Sequence, residues 1–131
     1  MKRLVSAVIL AFIIFTNLLA QKPNDEKTET VKSKITFVEL GSVNCIPCKQ
    51  MQPVMKSIES KYKGIVKVIF YDVWTDGGKP FAEKYGIKLI PTQVFLDENG
   101  KEFFRHEGFY PEKEIDKLLL SKGVKASNVK S

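Results

Sequence analysis

Residues 37–49 read FVELGSVNCIPCK and place two cysteines, Cys45 and Cys48, between two different periodic patterns. Residues 35–40 form a short run rich in β-branched and aromatic side chains, which predicts a buried strand. In residues 45–62 apolar side chains recur at spacings of three and four, which predicts a helix. The cysteine pair is therefore expected at the N-terminus of a helix that follows a strand.

This position favours thiol chemistry. The free N–H groups and the macrodipole at the start of a helix stabilise negative charge, so a thiol there loses its proton more readily. We expect Cys45 to attack a disulfide, because it lies nearer the helix end and is more exposed, and Cys48 to resolve the mixed disulfide. Pro47 suits the first turn, where its missing N–H costs no hydrogen bond. Lys49 either adds positive charge nearby or is a solvated surface residue.

Two other uses of the cysteine pair are weaker. A stabilising disulfide is common in exported proteins, but this one would close a loop of only four residues and remove little entropy from the unfolded chain. A metal site is weaker still, because two sulfurs and the single distant His106 make a poor tetrahedral set. We therefore expect no metal and no bound cofactor, with the Cys45–Cys48 disulfide as the redox group. His106 is interpreted as a surface or structural residue.

The N-terminus has the layout of a secretory signal. Lys2 and Arg3 precede the almost wholly apolar residues 4–15, and Ala20 is a candidate last residue of a signal peptide over residues 1–20. The alternative is an uncleaved anchor, because the 17 residues that end at Ala20 reach the lower limit for a spanning helix. In either case we expect the body of the protein to be exported to the periplasm or another extracytoplasmic space, soluble or N-terminally anchored.

The rest of the chain divides into one domain with polar flanks. Residues 21–33 and 124–131 contain few apolar side chains and cannot offset their ordering entropy, which predicts a linker and a flexible tail. Residues 34–123 are long enough for one compact domain. The formal net charge of +6 is spread along the chain among acidic residues, so we expect no nucleic-acid partner.

Within that domain, strand and helix signals alternate. Beyond the first strand and helix, the pattern predicts a strand over residues 65–73 and a short helix over residues 80–85. A hairpin follows, with strands over residues 92–96 and 101–105 and an Asn-Gly turn that is able to take type I′. The last predicted helix covers residues 111–120. The resulting order β, α, β, α, β, β, α predicts an α/β fold. We expect a mixed four-stranded sheet flanked by helices on both faces, with the first two strands parallel.

Three segments of this domain together resemble the thioredoxin family. They are residues 37–40 leading to 45–49, residues 84–87 (KYGI) and residues 90–92 (IPT). The resemblance covers about residues 35–122. It implies a thioredoxin-like domain over residues 34–123 and the activity of a thiol–disulfide oxidoreductase that uses a redox-active disulfide.

The resemblance also implies further site residues. It implies that Pro91 is cis and that the backbone of Ile90 pairs with a substrate peptide; the alternative for these two residues is a simple turn. It also implies that Gly108 lies beside the substrate groove, and the alternative there is a turn glycine. Glu39 matches the buried acid of the family, which implies that it takes the proton from Cys48 during the attack on the mixed disulfide. The alternative is a strand glutamate that points to water.

Several positions depart from the family pattern. Asn44 stands where thioredoxin has the tryptophan before its first cysteine, Gly41 replaces another aromatic residue, and Phe70 stands where thioredoxin has a lysine near the buried acid. Asn44 is an alternative N-cap of the helix. The loop over residues 74–79 is longer, and the polar linker replaces the first strand and helix. These departures leave the partner and the reduction potential open.

The resemblance favours a reductase, because Pro47 before the second cysteine, the buried acid and Ile90 before Pro91 match reducing members. It implies protein disulfides as substrates, with cytochrome c apoproteins or misoxidised exported proteins as candidates, and a membrane thiol-electron carrier as donor. We expect a monomer. The alternatives are a disulfide oxidase or isomerase of exported proteins, which the reduction potential would reveal, and a non-enzymatic binding module on the same scaffold.

Overall fold

The computed structural model describes residues 34–127 of the chain. The predicted signal peptide and linker, residues 1–33, and the last four residues of the predicted tail lie outside that range. The strands are β1 (Ile35–Gly41), β2 (Val66–Asp72), β3 (Thr92–Leu96) and β4 (Glu102–Glu107), and the helices are α1 (Ile46–Lys61), α2 (Lys79–Lys84) and α3 (Glu112–Ser121). The predicted order of elements is confirmed. Within residues 34–127, no helix has the length and apolar content needed to cross a membrane.

The four strands form one mixed sheet in the order β2-β1-β3-β4. β1 pairs with β2 in parallel and with β3 antiparallel, and β4 pairs with β3 antiparallel. The parallel pair is joined through α1, as a parallel connection requires. β1 is therefore an interior strand of the sheet, and both of its neighbours can place side chains beside its own.

Helices cover both faces of this sheet, as predicted. Successive residues of a strand point to opposite faces, so β1 contributes to two separate cores. On one face Phe37 stacks on Phe95, with ring centroids 4.7 Å apart, beneath apolar side chains of α1 and α3. On the other face Val38 and Val94 pack with Phe81 of α2 and its neighbours. The odd-numbered residues of β1 therefore share the face that α1 covers.

The β3–β4 hairpin differs from the turn that the sequence allows. A type I′ turn needs positive φ at both central residues, but Gly100 has φ +78° and no non-glycine residue in the described range has positive φ. The strand pairing ends at Leu96 and Glu102, which leaves residues 97–101 as the loop. The carboxylate of Asp97 accepts hydrogen bonds from the N–H groups of Asn99 at 2.9 Å and Lys101 at 3.0 Å. The aspartate side chain thus stabilises a turn of a different type.

The packed domain continues past residue 123, which corrects the predicted boundary of the tail. Gly123 has φ +73° at the end of α3 and turns the chain back, so that the N–H of Val124 bonds to the carbonyl of Leu119 at 3.0 Å. Val124 is buried, and Ser127 donates its N–H and hydroxyl to the carbonyl of Lys61. A glycine after a helix followed by an apolar residue is a helix-terminating motif, and residues 123–124 carry this signal.

Candidate active site

The two cysteines lie at the N-terminus of α1 and are joined as a disulfide, with their Cα atoms 5.2 Å apart. Cys45 is the N-cap residue, and its Sγ accepts a hydrogen bond from the backbone N–H of Cys48 at 3.4 Å. Cys45 keeps 8% of its surface exposed, whereas Cys48 is fully buried. Solvent therefore reaches the pair from the Cys45 side, which is also the side nearest the free N–H groups of the helix.

The N-cap is Cys45 and not Asn44, which corrects the alternative drawn from the sequence. Cys45 has the extended backbone that this position needs, with φ −93° and ψ 127°, and its sulfur already takes the place of the capping acceptor. Asn44 is exposed, and its own N–H bonds to Oγ of Ser42 at 3.2 Å. Pro47 lies in the first turn of the helix, where no hydrogen bond is lost.

A carboxylate holds together the two loops beside the disulfide. Asp72, at the end of β2, accepts hydrogen bonds from the N–H of Val43 at 3.2 Å and the N–H of Trp74 at 3.1 Å. The N–H of Val73 also bonds to the carbonyl of Gly41 at 2.9 Å. Desolvation acts to raise the pKa of Asp72, but the hydrogen bonds from the N–H groups of Val43 and Trp74, with a smaller contribution from the side chain of Ser42, outweigh it and hold the pKa below its usual value. The sequence did not reveal this contact, because Val43 and Asp72 are 29 residues apart.

Glu39 is fully buried on the face of the sheet that α1 covers. Burial raises the pKa of Glu39 from 4.5 to about 8, and a hydrogen bond from Gln93 partly opposes this shift. That bond runs from Nε2 of Gln93 to Oε1 of Glu39 at 3.4 Å. The alternative of a strand glutamate pointing to water is therefore wrong, and Glu39 can exchange a proton near neutral pH.

The strand that carries Glu39 also lies directly beneath the buried cysteine. A Cβ at Gly41, two residues beyond Glu39 on the same face, would lie 3.1 Å from Sγ of Cys48 and 3.4 Å from the ring of Phe70. Phe70 is also the partner of Glu39 in the parallel β1–β2 register. The aromatic ring that replaces the lysine of the family thus gives the acid and Cys48 an apolar neighbour rather than a charged one.

The predicted substrate-binding residues lie at the same end of the sheet. Thr92 is opposite Leu40 in the β1–β3 register, so Pro91 lies beside the end of β1 from which the chain leads to Cys45. The Ile90–Pro91 peptide bond is cis, and the N–H of Gly108 bonds to the carbonyl of Pro91 at 2.8 Å. Gly108 has φ +90°, and a Cβ there would meet no atom within 4 Å. Glycine at 108 therefore suits the backbone and leaves open space beside Pro91.

Gln93, which lies beside Glu39, has no role predicted from the sequence. Gln93 is the direct partner of Glu39 in the β1–β3 register and is fully buried, and His106 is the partner of Gln93 on β4. The ring of His106 stacks on Tyr110 at 4.3 Å, and its Nε2 lies 3.1 Å from the carbonyl of Phe109. These contacts agree with a structural histidine. Among residues 34–127, no cluster of three or more acidic, histidine or cysteine side chains is arranged to hold a metal ion.

Large apolar side chains are exposed on the segments that border this end of the sheet. Two of them, Val43 and Ile46, flank Cys45 in sequence, with 55% and 75% of their surface exposed. Trp74, on the loop that Asp72 holds against Val43, is 62% exposed. These three side chains are therefore available for contact with another molecule on the side of Cys45.

This fold, with a cysteine pair as the N-terminal disulfide of α1, defines a protein of the thioredoxin-like thiol–disulfide oxidoreductase class. A family model described as a thioredoxin-like domain matches residues 23–122, which is more than half of the chain. The chain therefore belongs to the thioredoxin family. Members of this family use a redox-active disulfide and no external cofactor, and they act on protein disulfides.

Individual relatives agree with this assignment. The chain is 31% identical over 76 residues to Thioredoxin-1 of Drosophila melanogaster, covering 58% of this chain and 69% of the relative. A solved thioredoxin from Nicotiana alata matches with a TM-score of 0.58 and 30% identity over 70% of this chain and 76% of that one. A variant thioredoxin from Halobacterium salinarum NRC-1 has a TM-score of 0.61 at 23% identity, over 70% of this chain and 77% of that one, and shows likeness of fold alone.

Proposed function

We propose that this protein is an exported reductase of protein disulfides, in which Cys45 attacks, Cys48 resolves and Glu39 relays a proton. The observation that carries the proposal is the disulfide at the N-terminus of α1, in which Cys45 is the less buried cysteine, with a buried, protonatable acid on the strand beneath Cys48. Each of these three groups has the environment that its step requires.

In the first step the thiolate of Cys45 attacks a substrate disulfide. A mixed disulfide forms between Cys45 and one substrate sulfur, the substrate S–S bond breaks, and the other substrate sulfur leaves as a thiolate. The N-terminus of α1 supports this step, because its free N–H groups stabilise the attacking thiolate before it reacts.

In the second step Cys48 resolves the mixed disulfide. Its thiol gives a proton to the carboxylate of Glu39, and the resulting thiolate attacks Sγ of Cys45 and displaces the second substrate sulfur as a thiolate, which takes a proton from solvent. The two electrons of the dithiol thus pass to the substrate, and the protein is left with the Cys45–Cys48 disulfide and a protonated Glu39. An electron donor reverses both steps to restore the dithiol.

The substrate would bind across the end of the sheet that carries the disulfide. We expect the backbone of Ile90 to pair with an extended substrate segment, while Gly108, without a side chain, leaves room for its backbone. The exposed side chains of Val43, Ile46 and Trp74 offer apolar contacts on the other side of Cys45. This surface suits a protein substrate, and cytochrome c apoproteins remain candidates among exported proteins.

The direction of electron flow is tested by the reduction potential of the Cys45–Cys48 pair. The purified protein is equilibrated in graded thiol–disulfide buffers and then assayed for reduction of a disulfide-bonded protein. We expect a potential near that of thioredoxin, about −270 mV. A value tens of millivolts above the glutathione range would instead support an oxidase or isomerase. Failure of the reduced protein to reduce any protein disulfide would contradict the proposal.

Two variants test the roles of the cysteines separately. Cys48→Ser should accumulate a mixed disulfide between Cys45 and the substrate, because the resolving thiol is missing, and mass spectrometry of the trapped species identifies the sulfur involved. Cys45→Ser should trap nothing and have no activity. Trapping through Cys48 in the Cys45→Ser protein would reverse the assigned roles.

Export is supported by the basic and apolar layout of residues 1–20. A membrane thiol-electron carrier is the class of donor that an exported reductase needs, since electrons must come from the cytoplasm. Cell fractionation and N-terminal sequencing of the native protein test this part. A mature chain that begins at Gln21 outside the cytoplasm indicates cleavage, a full-length chain in the membrane fraction indicates an anchor, and a full-length cytoplasmic chain would contradict export.

A further inference from the structure

The side chains of Glu39 and Gln93 form an isolated polar pair inside the protein. They lie directly opposite each other on β1 and β3, and both are fully buried. Nε2 of Gln93 donates to Oε1 of Glu39 at 3.4 Å. The two buried side-chain oxygens that lack a partner in the described range are Oε2 of Glu39 and Oε1 of Gln93, the remaining atoms of these same two groups.

The protonation state of Glu39 decides whether these two oxygens can be satisfied. In the carboxylate form both are acceptors, and neither can pair with the other. A proton on Oε2 of Glu39 turns that atom into a donor, and Oε1 of Gln93 is an acceptor without a donor. A carboxylic acid and a primary amide can therefore form two reciprocal hydrogen bonds, which removes the cost of two unpaired buried groups.

We propose that Gln93 is a positioning residue that pairs with Glu39 in both of its protonation states. Nε2 of Gln93 donates to the carboxylate, and Oε1 of Gln93 also accepts from the acid O–H once Glu39 has taken the proton of Cys48. This inference rests on the proposed role of Glu39 as the proton relay. No bond other than the S–H of Cys48 and the O–H of Glu39 changes in the step that Gln93 assists.

The surroundings of Glu39 leave Gln93 as its polar neighbour. β2 brings Phe70 against it, β3 brings Gln93, and α1 brings Cys48 over Gly41. None of these side chains is charged while the disulfide is formed. The nearest titratable side chain on β4 is His106, which is opposite Gln93 and therefore one strand further away. The pKa of Glu39 is accordingly set by burial, which raises it, and by the Gln93 hydrogen bond, which lowers it.

Gln93→Met tests the proposal, because methionine keeps a similar shape but removes both the donor and the acceptor. The carboxyl carbon of Glu39 is followed by NMR across the pH range in the oxidised protein, and its signal is identified by its loss in Glu39→Gln. Gln93→Met removes the bond to the carboxylate and also the bonds to the protonated acid, and the bond to the charged carboxylate is the strongest of these, so the pKa of Glu39 should rise, by about one unit at most. Gln50→Met makes the same chemical change on the exposed side of α1 and should leave the pKa of Glu39 unchanged.

The kinetic consequence follows from the smaller fraction of Glu39 that is ionised. At pH 7 the rate of protein disulfide reduction should fall by about tenfold for each unit by which the pKa rises, and the pH profile should move upward by the same amount. In the Glu39→Gln background, Gln93→Met should cause no further shift of the profile. A residue that acts only on stability would lower the melting temperature without moving either the pKa or the profile.

Several results would overturn the inference. A folded Gln93→Met protein with an unchanged Glu39 pKa would exclude the pairing, and a shifted pKa with an unchanged rate profile would exclude its role in the reaction. If Gln93→Met fails to fold, the side-chain amide signals of Gln93 in the unaltered protein must still shift as Glu39 titrates; if they do not, the pairing is wrong. The NMR measurements need no activity, so failure of the proposed reductase function is recognised separately.

Discussion

Gly41 on β1 packs directly against Cys48 on α1. A Cβ at position 41 would lie 3.1 Å from Sγ and 3.2 Å from Cβ of Cys48, closer than side chains in a packed interior normally approach. The glycine thus lets the first turn of the helix lie close to the strand that carries Glu39. Position 41, which the resemblance aligns with an aromatic residue of thioredoxin, holds glycine in this chain, and Cys48 packs against it.

Gly41→Ala should therefore destabilise the oxidised protein. The added methyl group over-packs a site between Cys48 and Phe70, and we expect the free energy of unfolding to fall by about 1–2 kcal/mol. Urea denaturation of the oxidised protein measures the change. Gly77→Ala is the matched control, because a Cβ at position 77 would meet no atom within 4 Å. Equal stability of the two variants would show that β1 and α1 move apart to accommodate the added methyl group at no cost in free energy.

The loop that bears Trp74 should be sensitive to a methyl group at one of its two adjacent glycines. A Cβ at Gly78 would overlap the backbone carbonyl of Asp72, whereas a Cβ at Gly77 is unobstructed. Gly78→Ala should lower the free energy of unfolding by about 1–3 kcal/mol. It should also accelerate hydrogen exchange at the N–H groups of Val43 and Trp74, which donate to the carboxylate of Asp72. Gly77→Ala should change neither. Unchanged exchange in Gly78→Ala would contradict the link between the two loops.

The raised pKa of Glu39 predicts a pH dependence of stability. The folded protein keeps the Glu39 proton up to about pH 8, whereas the unfolded chain releases it near its ordinary pKa of 4.5. The folded state therefore binds more protons between these values, so the free energy of unfolding should fall as pH rises from 4.5 to about 8, by at most about 5 kcal/mol. Urea denaturation of the oxidised protein at several pH values measures this slope.

Glu39→Gln should remove most of that slope, because the amide does not titrate, and should be more stable than the unaltered protein at pH 8. Glu98→Gln serves as a control, since Glu98 is an exposed residue of the β3–β4 loop. If Glu39→Gln kept the same loss of stability between pH 4.5 and 8, another group would have to be responsible.

The contact between α1 and α3 predicts a smaller effect. The hydroxyl of Tyr62 donates to Asp116 at 2.8 Å, and burial together with this bond raises the pKa of Tyr62 to about 12. Tyr62→Phe should lower the free energy of unfolding by about 1 kcal/mol, the usual contribution of one such bond. Tyr85→Phe is the control, because the Tyr85 hydroxyl makes no side-chain hydrogen bond within residues 34–127. Denaturant melts that showed equal losses for both variants would assign no stabilisation to the Asp116 bond.

Much of the fold could be predicted because its signals are local. The strand over residues 35–40 and the helix over residues 45–62 follow from side-chain periodicity, and the described bounds, Ile35–Gly41 and Ile46–Lys61, differ by one residue or none at each end. The end of α3 is likewise within one residue of its predicted end, but the packed chain continues to Val124, beyond the predicted domain boundary at residue 123.

The role of Gln93 could not be predicted in the same way. β3 is buried on both faces, so its residues lack the alternation that would tell which side chains point inward. A polar residue in such a strand looks the same in sequence whether it pairs with an acid or faces water. The contact of Asp72 could not be predicted either, because Asp72 ends β2 whereas its partner Val43 lies in the loop that follows β1.

The amino-acid sequence by itself determined that two thiols lie one turn apart at the start of a helix, because the strand and helix signals all lie within about 25 residues of Cys45. Only the tertiary structure decided that Glu39 is buried and that Gln93, 54 residues away, is its partner. The register between β1 and β3 brings these side chains together, and it depends on how both faces of the sheet pack against helices. Desolvation in that packed interior, absent from any isolated strand, makes the carboxyl of Glu39 a group that exchanges protons near neutral pH.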